Sequence, residues 1–235
     1  MNNKRSLFIV SLLAAGAAGA ADEGWKGEAE LGVVLTSGNT ETQSISGKAK
    51  VGHERRKWRH GATFEALNTK DEDTTTAERY TLTGQSAYKM TERQYLFGLI
   101  TYDADRFSGF DYQLSEALGY GIKAIDRETL ELDLEAGLGA RQSKLEESGD
   151  TENEGIVRLA GHLAWQISGT SEFTQGLSSE IGEESTITRS VTALKSQVAG
   201  NLAMKISYSV KHVSDVPDDV RHTDQETAVT LVYSF

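Results

Sequence analysis

The chain of 235 residues contains no cysteine and a single proline, Pro217. Without cysteine, the protein can form neither a disulfide framework nor a thiolate metal site. Proline is excluded from the interior of hydrogen-bonded strands, so a sequence that nearly lacks it suits long, continuous β ladders. No linker-like segment divides the chain, and we therefore expect one large β domain rather than two small ones.

The first twenty residues have the layout of an export signal. Lys4 and Arg5 precede an apolar run over residues 7–15, and a stretch of small residues ending at Ala20 follows it. The run is too short to cross about 30 Å of hydrocarbon as a helix. We predict a cleaved signal peptide over residues 1–20 and a mature domain over residues 21–235. Removal of the two basic residues takes the formal net charge from -11 to -13, which argues against nucleic acid as a partner.

Apolar residues of the mature domain recur with a period of two, which is typical of β-strands. In the clearest segment, 130–140, leucine and alanine at even positions alternate with Glu131, Asp133 and Glu135. One face of such a strand can contact lipid while the other contacts water. Together with less regular segments between them, the alternating segments predict twelve strands: 25–35, 43–53, 58–66, 79–88, 95–102, 112–124, 130–140, 157–167, 172–181, 186–198, 202–210 and 227–235.

The connections between these segments alternate in length. Short turns are expected at 55–57, 91–92, 126–128, 168–170 and 199–201, and longer acidic loops at 68–76, 103–111, 142–153 and 213–222. Short periplasmic turns and longer external loops are typical of outer-membrane barrels. The pattern predicts an all-β fold, a closed antiparallel transmembrane β-barrel of about twelve strands in the cell outer membrane, with both termini on the periplasmic side.

Aromatic residues near the predicted periplasmic strand ends support this topology. Such rings prefer the boundary between headgroups and hydrocarbon, so we expect a lipid-interface belt. Its predicted members are Trp25, Trp58, Tyr88, Tyr95, Trp165 and Phe173. The chain also ends in an alternating strand with Tyr233 and a terminal Phe235, which resembles the signal that outer-membrane proteins present to the barrel assembly machinery.

Several local patterns resemble one family of bacterial proteins. They are the opening strand and turn Leu-Gly-Val-Val-Leu-Thr-Ser-Gly-Asn-Thr at 31–40, the Leu-Gly-Tyr-Gly core of segment 112–122, and segment 210–235 with its closing Leu-Val-Tyr-Ser-Phe. These segments resemble domain of unknown function 481, the YdiY-like family described as salt-induced outer-membrane proteins. The resemblance spans essentially the whole mature chain. It implies an outer-membrane barrel linked to osmotic or pH stress, and it brings no activity and no catalytic residue.

Three carboxylates on one face of segment 130–140 are the main candidate site. Successive members lie about 7 Å apart along a strand, and in a narrow lumen they would disfavour one another's charged form unless cations compensate. With basic residues nearby, the predicted lumenal charge cluster contains Glu131, Asp133, Glu135, Arg141, Arg158 and His162. Two interpretations stay open: a cation-favouring constriction, or a plug of neutralised ion pairs of the kind that fills small barrels.

Two positions conflict with simple alternation. Arg189 and Lys195 share a face with Ile187 and Val191, and Glu116 lies between two leucines on the predicted lipid face. A β-bulge, or a partner on the adjacent strand, would reconcile each conflict.

The expected function is a narrow channel or a structural envelope barrel, with no enzymatic activity, metal or cofactor. The five histidines lack metal-ligand spacing, and His60, the histidine placed on the lipid face, has no obvious serine partner. The alternatives are an outer-membrane lipid-modifying enzyme and a soluble periplasmic lipid binder of lipocalin type. Expected partners are outer-membrane lipid, lipopolysaccharide and, during biogenesis, the barrel assembly machinery, and not nucleic acid.

Overall fold

A computed structural model describes residues 24–37, 43–71, 74–217 and 220–235. The predicted signal peptide lies outside these residues. Within them, no helix is long and apolar enough to cross a membrane. The regular elements, numbered in chain order, are β1 Trp25–Ser37, β2 Gln43–Arg55, β3 Trp58–Asp71, β4 Thr74–Lys89, β5 Gln94–Asp105, β6 Phe110–Arg127, β7 Leu130–Leu145, β8 Thr151–Gln166, β9 Ser171–Gly182, β10 Thr186–Ala199, β11 Leu202–Val213 and β12 Thr223–Ser234.

Neighbouring strands pair antiparallel, and β1 pairs with β12, so the sheet closes into a barrel. At the seam, the backbone N–H of Gly27 donates to the Phe235 carbonyl at 2.8 Å, and the Phe235 N–H donates back at 2.9 Å. The Phe235 ring covers Gly27, where a Cβ would lie 2.3 Å from the ring carbons. Closure leaves no unpaired strand edge, as residence in lipid requires. The predicted twelve-stranded closed barrel is confirmed.

The wall of the barrel is apolar outside and polar inside. Outward-facing Leu118 and Leu138 are 74% and 69% exposed, whereas the inward-facing Glu180 and Arg141 are buried. A soluble barrel places its apolar side chains inside, away from water. The reverse arrangement suits a barrel surrounded by hydrocarbon. It argues against the soluble lipocalin-type alternative.

The two ends of the barrel differ. At one end, connections of two to four residues join β2 to β3, β4 to β5, β6 to β7, β8 to β9 and β10 to β11. This end also holds Trp25 and Phe235, and we call it the turn end. The opposite end, the loop end, includes the connection from Val213 to Thr223.

Three of the predicted loops are shorter than expected. β3 continues to Asp71 and β4 begins at Thr74, both inside the predicted loop 68–76. In the same way, β5 and β6 extend into 103–111, and β7 and β8 extend into 142–153. Ladder hydrogen bonds do not require apolar side chains, so polar strand extensions escape a search for hydrophobic alternation.

The conflict on β10 disappears because the mixed face is the lumenal one. Arg189 and Val191 line the interior cavities, and Ile187 on the same face is fully buried. The outward face of β10 carries hydroxyls instead, and Thr188 and Ser190 pair with polar side chains of β9. Glu116, the second conflict, is exposed and lines a groove in the outer wall.

Candidate functional site

Two of the cavities that the described residues form inside the lumen lie in series. The turn-side chamber, of about 600 Å³, lies nearer the turn end, and the loop-side chamber, of about 390 Å³, lies nearer the loop end. The residues that line both chambers form a waist between them. They are Thr83, Gln85, Arg158, Ser178, Arg189 and Val191.

Glu135 in the turn-side chamber accepts three hydrogen bonds. The Tyr95 hydroxyl and Gln85 Nε2 both donate to its Oε1 at 3.0 Å, and Arg158 Nη1 donates to its Oε2 at 3.0 Å. The donors come from β5, β4 and β8, so the network joins strands that are not neighbours. Charge-assisted bonds of this kind hold the carboxylate in one orientation and neutralise it.

Two arginines of the turn-side chamber are held by aromatic rings. The Arg59 guanidinium lies 5.0 Å from the centroid of Tyr95, and that of Arg158 lies 5.7 Å from the centroid of Phe97. Cation–π contacts position a guanidinium without consuming its N–H donors. Arg59 Nη1 is 3.8 Å from Asp133 Oδ2, too long for a hydrogen bond. Arg158 Nε makes no hydrogen bond to the described residues.

Cations outnumber carboxylates in the lining of the turn-side chamber. Asp133 and Glu135 are the carboxylates that line it, and the cations are Lys50, Arg59, Arg158 and Arg189, with the His162 ring beside them. In the described part of the chain, Lys50 has no carboxylate within ion-pair distance. Two of these cations, Arg158 and Arg189, also line the loop-side chamber. The excess charge of the turn-side lining is positive, and the two interpretations that the sequence left open, a cation-favouring constriction and a plug of ion pairs, stay predictions.

The loop-side chamber has the opposite balance. Its lining contains four cations, Arg79, Arg158, Arg189 and Lys211, and six carboxylates, Glu65, Asp103, Asp105, Glu180, Asp224 and Glu226. Beyond it, at the loop end, a vestibule of about 990 Å³ is lined by Glu146, Glu147, Glu152, Glu154, Glu184 and Asp215. The charge along the lumen thus changes from an acidic loop end to a basic turn-side chamber.

Asp103 braces the loop-side chamber across the lumen. Lys211 Nζ on β11 donates to Asp103 Oδ2 on β5 at 2.9 Å, and Thr81 Oγ1 donates to Oδ1 at 3.0 Å. In a ring of twelve strands, β5 and β11 are diametrically opposite. A second brace joins Arg79 Nη2 on β4 to Glu226 Oε2 on β12 at 2.6 Å. These contacts restrict the open cross-section.

Arg141 forms a separate cluster near the loop end. Its fully buried guanidinium donates to Glu154 Oε1 at 2.6 and 2.9 Å and to Ser185 Oγ at 2.9 Å. Its Nη1 also lies 3.8 Å from Glu180. These contacts tie the β9–β10 connection to β8, which is a structural role.

The predicted charge cluster therefore divides into three parts. Asp133, Glu135, Arg158 and His162 share the turn-side chamber. Glu131 lies nearer the turn end, where Lys123 Nζ is 3.8 Å away. Arg141 belongs to the loop-end cluster described above.

The prediction for Tyr95 was wrong. Its side chain is 4% exposed and points into the lumen, where it bonds Glu135. Both faces of β5 are apolar near Tyr95, so alternation does not choose between them. Asp103, which has the same parity as Tyr95, was the available signal. Gly121 on β6 makes room for the ring, since a Cβ there would lie 2.2 Å from Tyr95 Cζ.

The other predicted belt residues face outward near the turn end. Trp25, Trp58 and Trp165 are about half exposed, and the Tyr88 ring contacts that of Trp58 at 5.1 Å. Phe173 lies opposite Trp165 in the β8–β9 register. Tyr233 and Phe235 also face outward. Their interaction with an assembly factor stays a prediction.

Comparison with known proteins gives the family. The family described as protein of unknown function, DUF481, matches residues 29–235. The chain belongs to DUF481. A relative from Escherichia coli (strain K12), the uncharacterized protein YdiY, is 28% identical over 211 residues, which cover 89% of this chain and 83% of the relative. The predicted resemblance is confirmed.

Solved structures similar to this DUF481 barrel are outer-membrane proteins of several kinds. The NanC porin matches with a TM-score of 0.59 and 11% identity, covering 87% of this chain and 98% of that one. The translocator domain of autotransporter NalP from Neisseria meningitidis has a TM-score of 0.55 and 12% identity, covering 92% and 90%. An outer-membrane channel from Pseudomonas putida F1 has a TM-score of 0.54 and 12% identity, covering 94% and 98%. At such identities the likeness shows the fold, which is of the outer-membrane type.

The outer wall of the DUF481 barrel holds a contact that the sequence did not reveal. Ser86 Oγ on β4 lies 2.9 Å from His60 Nδ1 on β3, beside a groove of about 630 Å³ lined by Gly84, Gly98 and Glu116. His60 therefore does have a serine partner, because cross-strand pairing joins positions 26 residues apart. The His60 ring also stacks on Trp58 at 5.6 Å, and no carboxylate among the described residues bonds it.

Proposed function

We propose that this DUF481 protein is a narrow outer-membrane channel for small ions and solutes. The observation that carries the proposal is the pair of polar chambers, about 600 and 390 Å³ in volume, that meet at a waist. A barrel with a purely structural role has no need for connected polar cavities, since small barrels fill their interiors with side chains. The similar folds of porins and channels support the same proposal.

The braces across the lumen restrict this channel to small solutes. The contacts of Asp103 with Lys211 and of Arg79 with Glu226 cross the loop-side chamber. At the waist, Arg189 makes longer contacts, 3.8 Å to Asp103 and 3.7 Å to Glu180. Beyond 3.5 Å such pairs are Coulombic rather than hydrogen-bonded, so of the two arginines at the waist Arg189 is the one whose removal costs fewer hydrogen bonds.

Bilayer recording of the refolded mature protein tests the channel. We expect discrete conductance steps, and a larger step for Arg189→Ala because the waist widens. Lys144→Gln, which removes a charge on the exposed outer wall, is the matched control and leaves the step size unchanged. Refolded barrels that show heat-modifiable gel mobility but no conductance step would exclude the channel.

The proposal includes an orientation and a cellular setting. In it, the turn end faces the periplasm, lipopolysaccharide surrounds the loop end, and the assembly machinery inserts the barrel after removal of residues 1–20. The role in osmotic or pH stress is supported by the family resemblance alone. Protease cleavage at the vestibule in intact cells, with the turn end protected, would verify the orientation.

The Ser86–His60 contact favours a second candidate, hydrolysis of a lipid in the outer-wall groove. A serine beside a histidine is the start of a hydrolase site, but a third group normally orients the imidazole. Here Nδ1 faces the serine and the described residues supply no orienting acid. Phospholipid hydrolysis that disappears in Ser86→Ala would establish this activity, and equal background in both proteins would exclude it.

A further inference from the structure

We infer that the turn-side chamber is a binding site for a small oxyanion such as phosphate or a carboxylate. The inference rests on the proposed channel for the route of entry and extends it by naming the class of ligand. Its basis is the set of cationic donors that face the chamber without saturating their hydrogen bonds, Lys50, Arg59 and Arg158.

The guanidinium groups are positioned before any ligand arrives. Arg59 and Arg158 lie against the rings of Tyr95 and Phe97, and a cation–π contact does not use up the hydrogen-bonding capacity of a guanidinium. A planar guanidinium with free donors matches the paired oxygens of carboxylate and phosphate. Positioning in advance lowers the entropy cost of binding.

Hydrogen bonding inside the chamber separates committed groups from free ones. Glu135 already accepts hydrogen bonds from Tyr95, Gln85 and Arg158, so its carboxylate is not available to bind a cationic ligand. Arg158 Nε has no acceptor among the described residues, and Arg59 has only the 3.8 Å contact with Asp133. Most of the hydrogen-bonding groups that remain available in the chamber are therefore donors.

Asp133 adds a selective element. Its Oδ1 is enclosed by protein atoms and accepts no hydrogen bond from the described residues, so a rotation of the Asp133 side chain would let it accept from a ligand that presents a hydroxyl as well as an anionic group. Dihydrogen phosphate and hydroxy acids have both, whereas chloride is an anion without a hydroxyl. The chamber, at about 600 Å³, lies within the range of ordinary small-molecule sites.

Calorimetric titration of the refolded mature protein with inorganic phosphate, and separately with lactate, tests the site directly. We expect saturable binding of at least one of the two anions. The double variant Lys50→Gln/Arg59→Gln should weaken it at least tenfold, since it removes two donors and leaves the Glu135 network in place. Lys144→Gln, which removes one positive charge from the outer wall as Lys50→Gln removes one from the lumen, is the control and should bind like the wild type.

Lys50→Gln alone guards against misfolding, because Lys50 has no carboxylate within ion-pair distance among the described residues, and heat-modifiable gel mobility verifies that each barrel has closed. Absence of binding, or equal affinity in wild type and both lumenal variants, would overturn the inference. In bilayers, the anion should reduce the wild-type current and spare the double variant. Anion binding without conductance would exclude the channel and retain the binding site. Conductance without anion binding or anion preference would exclude the binding site and retain the channel.

Discussion

The two chambers of the lumen are built from the same residue types and differ in how their charges are used. In the loop-side chamber, Asp103 and Glu226 are bonded to cations from distant strands, and carboxylates remain in excess. In the turn-side chamber, arginines rest on aromatic rings and cations remain in excess. The same residue types thus form contacts across the lumen in the loop-side chamber and a binding surface in the turn-side chamber. The two chambers differ in contact distance: the cations bonded to Asp103 and Glu226 are within hydrogen-bond distance, whereas Arg59 lies 3.8 Å from Asp133.

The largest expected difference between the ends concerns stability. Arg141→Met leaves the buried Glu154 and Glu180 without this cation, and loss of one partner of a buried pair costs about 3–5 kcal/mol. Arg158→Met leaves Glu135 with two remaining donors, so we expect about 1–3 kcal/mol. Urea unfolding of refolded barrels measures both. Equal losses would contradict the distinction between brace and binding surface.

Tyr95→Phe tests the hydrogen-bond network of the turn-side chamber. The ring stays beneath Arg59, but the hydrogen bond to Glu135 is lost, at an expected cost of about 1.5–3 kcal/mol for a bond to a charged group. Tyr88→Phe is the matched control on the outer wall and should change stability by less than about 0.5 kcal/mol. If the two variants unfold at the same urea concentration, Tyr95 does not support the lumenal network.

Asp103→Asn tests the brace in the loop-side chamber. Loss of the carboxylate weakens the contact with Lys211, and we expect a roughly twofold rise in single-channel conductance because the narrowest cross-section limits the current. Asp111→Asn, which affects an exposed pair with Lys144, should leave the conductance unchanged. A lower or unaltered conductance in Asp103→Asn would show that the brace does not limit the current.

Sequence alone was sufficient for the barrel because the clearest strands show an alternation of apolar and polar residues. β7 shows why: its leucines and carboxylates occupy opposite faces, and the structure places them outside and inside. β5 shows the limit. Tyr95 and Phe97 on one face, and Leu96 and Ile100 on the other, give no contrast, so the Tyr95 ring, which enters the lumen, was assigned to the lipid interface.

The partners of the lumenal charges were beyond the sequence for a different reason. Asp133 meets Arg59 from β3, and Asp103 meets Lys211 from β11, contacts set by barrel closure and not by neighbouring positions. Charge alone therefore suggested a cation-favouring row at Glu131, Asp133 and Glu135. Only the arrangement around the lumen shows that cations outnumber carboxylates there.

Current through single barrels of known orientation, recorded at equal and opposite voltages in symmetric salt, tests the central claim most directly. A pore with acidic residues at one end and basic residues at the other accumulates ions under one polarity and is depleted under the other. We expect unequal currents, with a smaller difference in Lys50→Gln/Arg59→Gln. Equal currents at both polarities would contradict the opposed charges of the two chambers.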